Sequence, residues 1–500
     1  MPTFDTIQNS CRVSYRLATT GGSQMDSCLG TPLKVRDVLV SAIVMSLGWG
    51  LRGYIGGGPF GAMIPGLLLS LLFCHFLKYD AKVAAVVVAF GAIGVGFGGD
   101  MTYGQTLGLI RQTESFFWGL TGTTVKGAVW GLMGGAVLGT GFIAHHIQRR
   151  YFVSAFLALL IGTIVGIHFI DQPKWIYFSD PINKPRDESW AGFLIGTVML
   201  LLVLLRCTPK LAGIPIRFAA YGAVGGALGF GLGSLFLKLQ VEVSDSWQWL
   251  PYWKFMEFTF GFLLGAALGL CTQRQYDRLH GLGSPHESNR FEVQPMISHI
   301  AALGVVYLVF HGWRVIWDFL IPGLSSLAPS DVRYTTSEVL LGFTGMGCVL
   351  MILSERFQSL AWQVAVTITI VATAIDWQRD LYPRGNITWP DASRLAFVLV
   401  IGVVVFVFVD RWWRRKPANL MKLFVVSMIC LMGMGYLMGV AHSDLWWPTE
   451  RQIAPLENGS SYVWQRYRSE VVVHGIFTSM FVVSIGFAIS EMRASRIQSK

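Results

Sequence analysis

Six carboxylates recur at one kind of position. Glu114, Glu188, Glu257, Glu338, Asp391 and Glu470 each open an apolar stretch that follows a polar loop. In five of the six a glycine follows four or five residues later: Gly119, Gly192, Gly261, Gly342 and Gly475. Acids gathered at one membrane face can bind a polar solute, relay a proton, or work as an acid–base pair on a glycosidic bond. The plainer reading is a helix-start signal, since free N–H groups and the helix dipole favour an anion in a first turn. Ser, Thr or Asn would start a helix equally well, so the recurring acid points to a carboxylate-lined cavity.

A second set lies where the dipole disfavours it. Asp100, Asp171, Asp318, Asp376 and Asp444 fall at or just beyond the C-terminal ends of apolar stretches. Each needs water, a base or a ligand. Bases are at hand: Arg314 precedes Asp318 by four residues and shares its helix face, Arg379 follows Asp376, and His168 precedes Asp171 by three.

A third set lies at membrane depth. Arg52 sits in Gly48-Trp49-Gly50-Leu51-Arg52-Gly53-Tyr54-Ile55-Gly56-Gly57-Gly58-Pro59, a composition that predicts a broken helix. Lys126 lies far inside an apolar run, His311 and Arg314 share another, and His474 follows Glu470 by four. Charges in a bilayer are costly and converge with acids or mark a site; snorkelling to the interface is the plainer alternative. The expectation is one polar cavity lined by Arg52, Asp100, Glu114 and Lys126 with some of His311, Arg314 and Asp376. The wider candidate ligand-binding set adds Glu188, Glu257, Asp318, Glu338 and Arg379.

The elements that must hold these groups are transmembrane helices. Hydrophobic residues make up 53% of the chain and charged ones only 14%, too little polar cover for a soluble protein of 500 residues. Mean hydropathy is +0.51. Spans are expected at 36–56, 60–78, 81–99, 115–144, 151–170, 189–206, 214–236, 253–272, 297–319, 337–354, 361–377, 392–411, 420–441 and 469–490. The expected fold is therefore an all-α membrane protein of about 14 spans in seven helical hairpins. A loose N-terminal arm covers 1–35. Four hairpins over 36–272 are divided by a linker, 273–296, from three over 297–490, and a short tail, 491–500, ends the chain.

Charge sets the expected orientation. The arm, the loops between hairpins and the tail hold 23 of the 39 basic residues and 10 of the 29 acids. Basic loops stay in the cytoplasm, which places both termini there, as in a bacterial inner membrane. The basic balance is thus topological and implies no nucleic-acid partner. The expected partners are the lipid bilayer and a small polar or sugar-like ligand. The seven cysteines fall on the cytoplasmic side or inside spans, so no disulfide framework is expected. The first 35 residues carry no cleavable signal-peptide pattern.

Internal similarity appears at an offset of about 130. Residues 89–94, Ala-Phe-Gly-Ala-Ile-Gly, resemble 220–225, Ala-Tyr-Gly-Ala-Val-Gly, and 134–139 resemble 264–269. Hairpins of one orientation make these parallel repeats. The 56 glycines, mostly within spans, predict close helix packing. By this placement 14 of the 18 tryptophans fall toward the outer side, all but Trp130, Trp362, Trp412 and Trp413. Beside acids and arginines their faces suit sugars as well as an interfacial belt. Two strings, Gly48–Gly66 and Gly99–Thr106, stand out without a recognisable activity. No Walker A motif, nucleophile elbow or zinc spacing occurs, so no cofactor is expected. These features favour a secondary transporter. A membrane enzyme acting on a glycan or lipid-linked sugar, or a structural subunit, are the alternatives.

Overall fold

The computed structural model describes residues 34–180, 186–283, 342–381, 391–415, 420–442 and 460–498, with single positions 304, 339 and 340. Among them every regular element is helical. The first nine helices are α1 (Val35–Ile55), α2 (Gly58–Phe76), α3 (Ala81–Phe97), α4 (Gly104–Ile110), α5 (Phe116–Ile143), α6 (Arg149–Gly166), α7 (Trp190–Cys207), α8 (Pro209–Glu242) and α9 (Tyr252–Arg274). Beyond the linker come α10 (Phe343–Arg356), α11 (Thr369–Leu381), α12 (Asp391–Arg415), α13 (Leu420–His442) and α14 (Ser460–Gln498).

Local chemistry sets several boundaries. Pro59 and Pro209 stand in the first turns of α2 and α8, where a missing N–H costs nothing. The Asp80 carboxylate accepts from Lys82 N at 2.8 Å and starts α3. The break expected after Arg52 is real: α1 stops at Ile55, and Gly58 reverses the chain at φ +79°, a conformation that favours glycine.

Eleven described helices are long and apolar enough to cross a membrane. The protein is on that count a polytopic membrane protein. Of the 14 expected spans, 297–319 lies outside the described residues apart from Gly304, α10 is only 14 residues long, and α12, over the expected 392–411, is not among the eleven; the expected 361–377 is matched by a helical stretch, Gln358–Ile375, that runs into α11.

Six helices close a ring: α1 packs on α2, α2 on α3, α3 on α5, α5 on α8, α8 on α9, and α9 back on α1. Glycines fix each seam and show neighbours to be antiparallel. A Cβ at Gly127, Gly131 or Gly135 of α5 would stand 2.3, 1.8 or 2.1 Å from the carbonyl oxygens of Gly226, Gly222 and Phe218 of α8. On α9, Gly261 and Gly265 meet Met45, Ser46 and Ser41 of α1 in the same descending order. Gly229 and Gly233 of α8 meet Phe260 and Met256 of α9. With no hydrophobic drive between helices in lipid, this backbone proximity is what dispersion needs. The α6–α7 hairpin, sealed by Gly162 on Gly196 and Gly166 on Gly192, packs through α7 on α5 and α8. The later helices lie mainly against α1, α2 and α3.

Aromatic rings fill the middle of the hexagon. Trp49 of α1 lies edge-on to Trp130 of α5 at 4.7 Å and to Phe260 of α9 at 4.2 Å, and Phe260 stacks on Phe230 of α8 at 4.0 Å. Trp130 had no place among the outward tryptophans, yet it touches Trp49. Its indole donates to the Val95 carbonyl at 2.8 Å.

Two expected helix starts are corrected. Glu257 falls in the second turn of α9, because Tyr252, Trp253 and Lys254 continue the helix beyond the apolar stretch. Glu470 falls well inside α14, which begins at Ser460. Trp253 and Lys254 supply the reason in the first case: both side chains bond Glu257, so the polar overhang satisfies itself.

Candidate functional site

The deep bases converge on the segment after α3, one of the two strings that stand out in the sequence. Lys126, 1% exposed on α5, donates to the Thr102 carbonyl at 2.6 Å, the Thr106 hydroxyl at 2.8 Å and Glu188 Oε1 at 2.8 Å. Glu188 also accepts from Ser179 Oγ at 2.7 Å and Phe178 N at 3.2 Å. Both members of this ion pair are buried and fully bonded, the condition under which such a pair repays its desolvation. Thr102 Oγ donates to the Asp187 carbonyl at 3.1 Å and Ser189 Oγ to the Asp100 carbonyl at 3.3 Å. The segment 99–106 is thereby tied to the loop before α7.

Arg52 reaches the same segment from α1. One guanidinium nitrogen donates to Tyr103 Oη at 2.7 Å. The guanidinium carbon lies 5.1, 5.4 and 5.0 Å from the ring centres of Trp49, Tyr103 and Trp130. Cation–π attraction of about 2 kcal/mol is reached when such a contact is desolvated, and Arg52 is 1% exposed. Among the described residues it has no acidic partner within salt-bridge distance, and its Nε is buried without a hydrogen-bond acceptor. The indole N–H of Trp49, one turn earlier, is also buried without an acceptor. The chain beside Arg52 is tight. A Cβ at Gly61 would stand 3.1 Å from Arg52 Cγ, and one at Gly99 would stand 2.4 Å from Pro59 Cα. Gly57 and Gly58, by contrast, border open space.

The other expected acids disperse. Asp100 is exposed, and its carboxylate accepts the Thr344 hydroxyl at 3.1 Å. Glu114 is exposed in the turn before α5. Glu257 is buried and accepts from Lys254 Nζ at 2.6 Å and Trp253 Nε1 at 2.9 Å. It lies against Gly53, where a Cβ would stand 2.0 Å from its Oε1. Glu470 accepts the Tyr54 hydroxyl at 2.5 Å, with His474 Nδ1 3.8 Å from its Oε2. Asp100, Glu257 and Glu470 are thus each answered by a different donor, and Glu114 stands exposed apart from them.

Asp171 answers its unfavourable position in a way the sequence did not suggest. A π-helical stretch, Ile167–Asp171, swings its carboxylate onto the start of the next helix, where it accepts from Ala191 N at 3.2 Å and Gly192 N at 2.9 Å. It caps α7 from outside the helix. His311, Arg314, Asp318 and Glu338 lie outside the described residues, and for Asp376 and Arg379 only the backbone, within α11, is described.

Sequence reasoning missed Thr102, Tyr103, Thr106 and Ser179, all neutral partners of the deep charges. The signal was the string Gly99–Thr106 itself, dense in hydroxyls and glycine immediately after an apolar helix.

No protein-family model, curated protein or solved structure matches the chain.

Proposed function

We propose that the protein is a secondary transporter of a small polar solute, with Arg52 at the centre of recognition. The observation that supports this reading is a guanidinium buried among Trp49, Trp130 and Tyr103 inside a six-helix ring, with one N–H unanswered. A charge so placed is expensive, and the cost is recovered when a ligand fills the missing valence. Two further features agree. The helix break at Gly56–Pro59 adjoins Arg52, and interrupted helices at the site are a recurring transporter device. The pairs α3/α5 and α8/α9 carry the matched sequence strings and lie side by side in the ring, which we read as two copies of one parallel unit.

The alternative of a membrane enzyme with paired loop carboxylates has less support. Glu188 and Glu257, the buried candidates, are each engaged by a lysine.

Reconstitution tests the proposal. Proteoliposomes are incubated in a defined mixture of sugars, amino acids and organic acids, and their lumenal contents are read by mass spectrometry. At least one solute should accumulate over empty liposomes, with the gain lost in Arg52→Gln and kept in Glu114→Gln. No enrichment of any solute would remove the transport reading.

A further inference from the structure

The chemistry around Arg52 specifies more than polarity. Four observations converge. The guanidinium has an unanswered N–H at a site that is 1% exposed. The Trp49 indole N–H, three residues earlier on the same helix face, is likewise unanswered. The stem of Arg52 lies against the first turn of α2, a 19-residue helix whose N-cap residue, Gly57, supplies no side-chain cap and whose first turn holds no acid. Finally, Gly57 and Gly58 leave open space at that helix start: no atom beyond their own helix and chain neighbours lies within 4 Å of where a Cβ would stand.

A helix N-terminus carries free N–H donors and about half a positive charge. Here its first turn lies against Cγ of Arg52, whose buried guanidinium has no carboxylate partner among the described residues. Glu257, the buried carboxylate that lies against the neighbouring Gly53, is already bonded to Lys254 and Trp253. Every unanswered group on this side is a donor, so a neutral sugar hydroxyl would answer them less fully than an acceptor-only group.

We infer that the solute carries an oxyanion, a carboxylate or a phosphate, held between the Arg52 guanidinium and the N-terminus of α2. This rests on the reading of Arg52 as the recognition centre. The ligand is a soluble one, because the aromatic residues that enclose Arg52 come from α1, α5 and the 99–103 segment inside the ring, where a lipid headgroup tethered to its chains does not reach. The body of the solute lies toward the open space at Gly57 and Gly58.

The test uses full-length protein in phosphatidylcholine nanodiscs, with thermal unfolding read by intrinsic tryptophan fluorescence. Inorganic phosphate and acetate are titrated against chloride at matched ionic strength, with glucose as a neutral control. Phosphate or acetate should raise the melting temperature saturably, chloride and glucose should not, and Arg52→Gln should abolish the response. Two variants at the open position guard against a misfolded Arg52→Gln. Gly57→Asp places a carboxylate where the ligand's would sit, so it should melt higher and lose the anion response. Gly57→Asn supplies a neutral cap and should keep the response. The inference is overturned if phosphate and acetate do no more than chloride, if Gly57→Asp still responds as Gly57→Asn does, or if stabilisation comes only from adding phosphatidylglycerol to the nanodisc. It also fails, with transport surviving, if proteoliposomes take up neutral solutes alone in an Arg52-dependent manner. Anion stabilisation without uptake of any solute leaves the site standing and removes transport.

Discussion

Lys126 and Glu188, 62 residues apart in the chain, meet at 2.8 Å with both side chains 1% exposed. Their contact pins the α5 helix to the loop that precedes α7, and through Thr102 and Thr106 it also pins the segment that touches Arg52. The pair therefore fixes the segment on which the Arg52 guanidinium rests.

Removing either partner should be more damaging than removing both. Lys126→Met or Glu188→Gln leaves a buried charge or its donors unanswered and should cost about 3–5 kcal/mol. The double variant should cost clearly less than the sum of the two. Denaturant titration in micelles measures all three; strict additivity would show that the two side chains do not interact.

The α5–α8 seam should tolerate no side chain. Gly131→Leu would place its Cβ 1.8 Å from the Gly222 carbonyl oxygen and forces the helices apart. A loss of about 3 kcal/mol or more is expected, beyond the usual range for overpacking. Gly108→Ala, where a Cβ meets nothing within 4 Å, should be close to neutral. Equal melting temperatures for these two variants would mean the seam is looser than described.

Asp171→Ala should uncap α7 and destabilise it by about 1–2 kcal/mol. Amide exchange separates this local effect from a global one: the amides of Ala191 and Gly192 should lose protection while those of the α5–α8 seam keep theirs. Unchanged exchange at Ala191 and Gly192 would dispose of the cap.

Orientation is open to chemical labelling. In a background with the seven cysteines replaced, single cysteines at His280 and Lys416 should resist an impermeant maleimide in intact cells, whereas Asn183 and Asn458 should react. The opposite pattern would invert the charge argument for the termini.

The sequence exposes the helices well and the contacts between them poorly. Long apolar runs define α5 and α9 within a few residues, because the bilayer demands length and satisfied backbones. Lys126 is legible as a buried base in want of an acid, yet its acid is Glu188 rather than Asp100 or Glu114. Periodicity fixes a residue's helix face but not the path of a loop, and it is outside the helices that Glu188 meets Phe178 and Ser179 as well as Lys126. Arg52 was legible as deep, and a carboxylate was expected against it. The guanidinium instead meets Trp49, one turn earlier on its own helix, and Trp130, from a helix its own sequence neighbourhood does not identify. Asp171 shows the same limit: its electrostatic problem is visible in one dimension, and its solution depends on a π-helical turn and a neighbouring helix start.

A hoop of helices has no free edge. Widening it at one point must either break a seam or stretch six of them by a little. The glycine seams resist stretching, because a gap of about 0.5–1 Å already forfeits roughly a quarter to a half of the dispersion between backbones. The Gly56–Gly58 turn between α1 and α2 is closed in the same way: a Cβ at Gly99 would stand 2.5 Å from the Gly58 carbonyl oxygen, and one at Gly61 would stand 2.3 Å from that of Gly56. The hoop is thus a clasp fastened all the way round, and the turn that borders Arg52 is one of its fastenings.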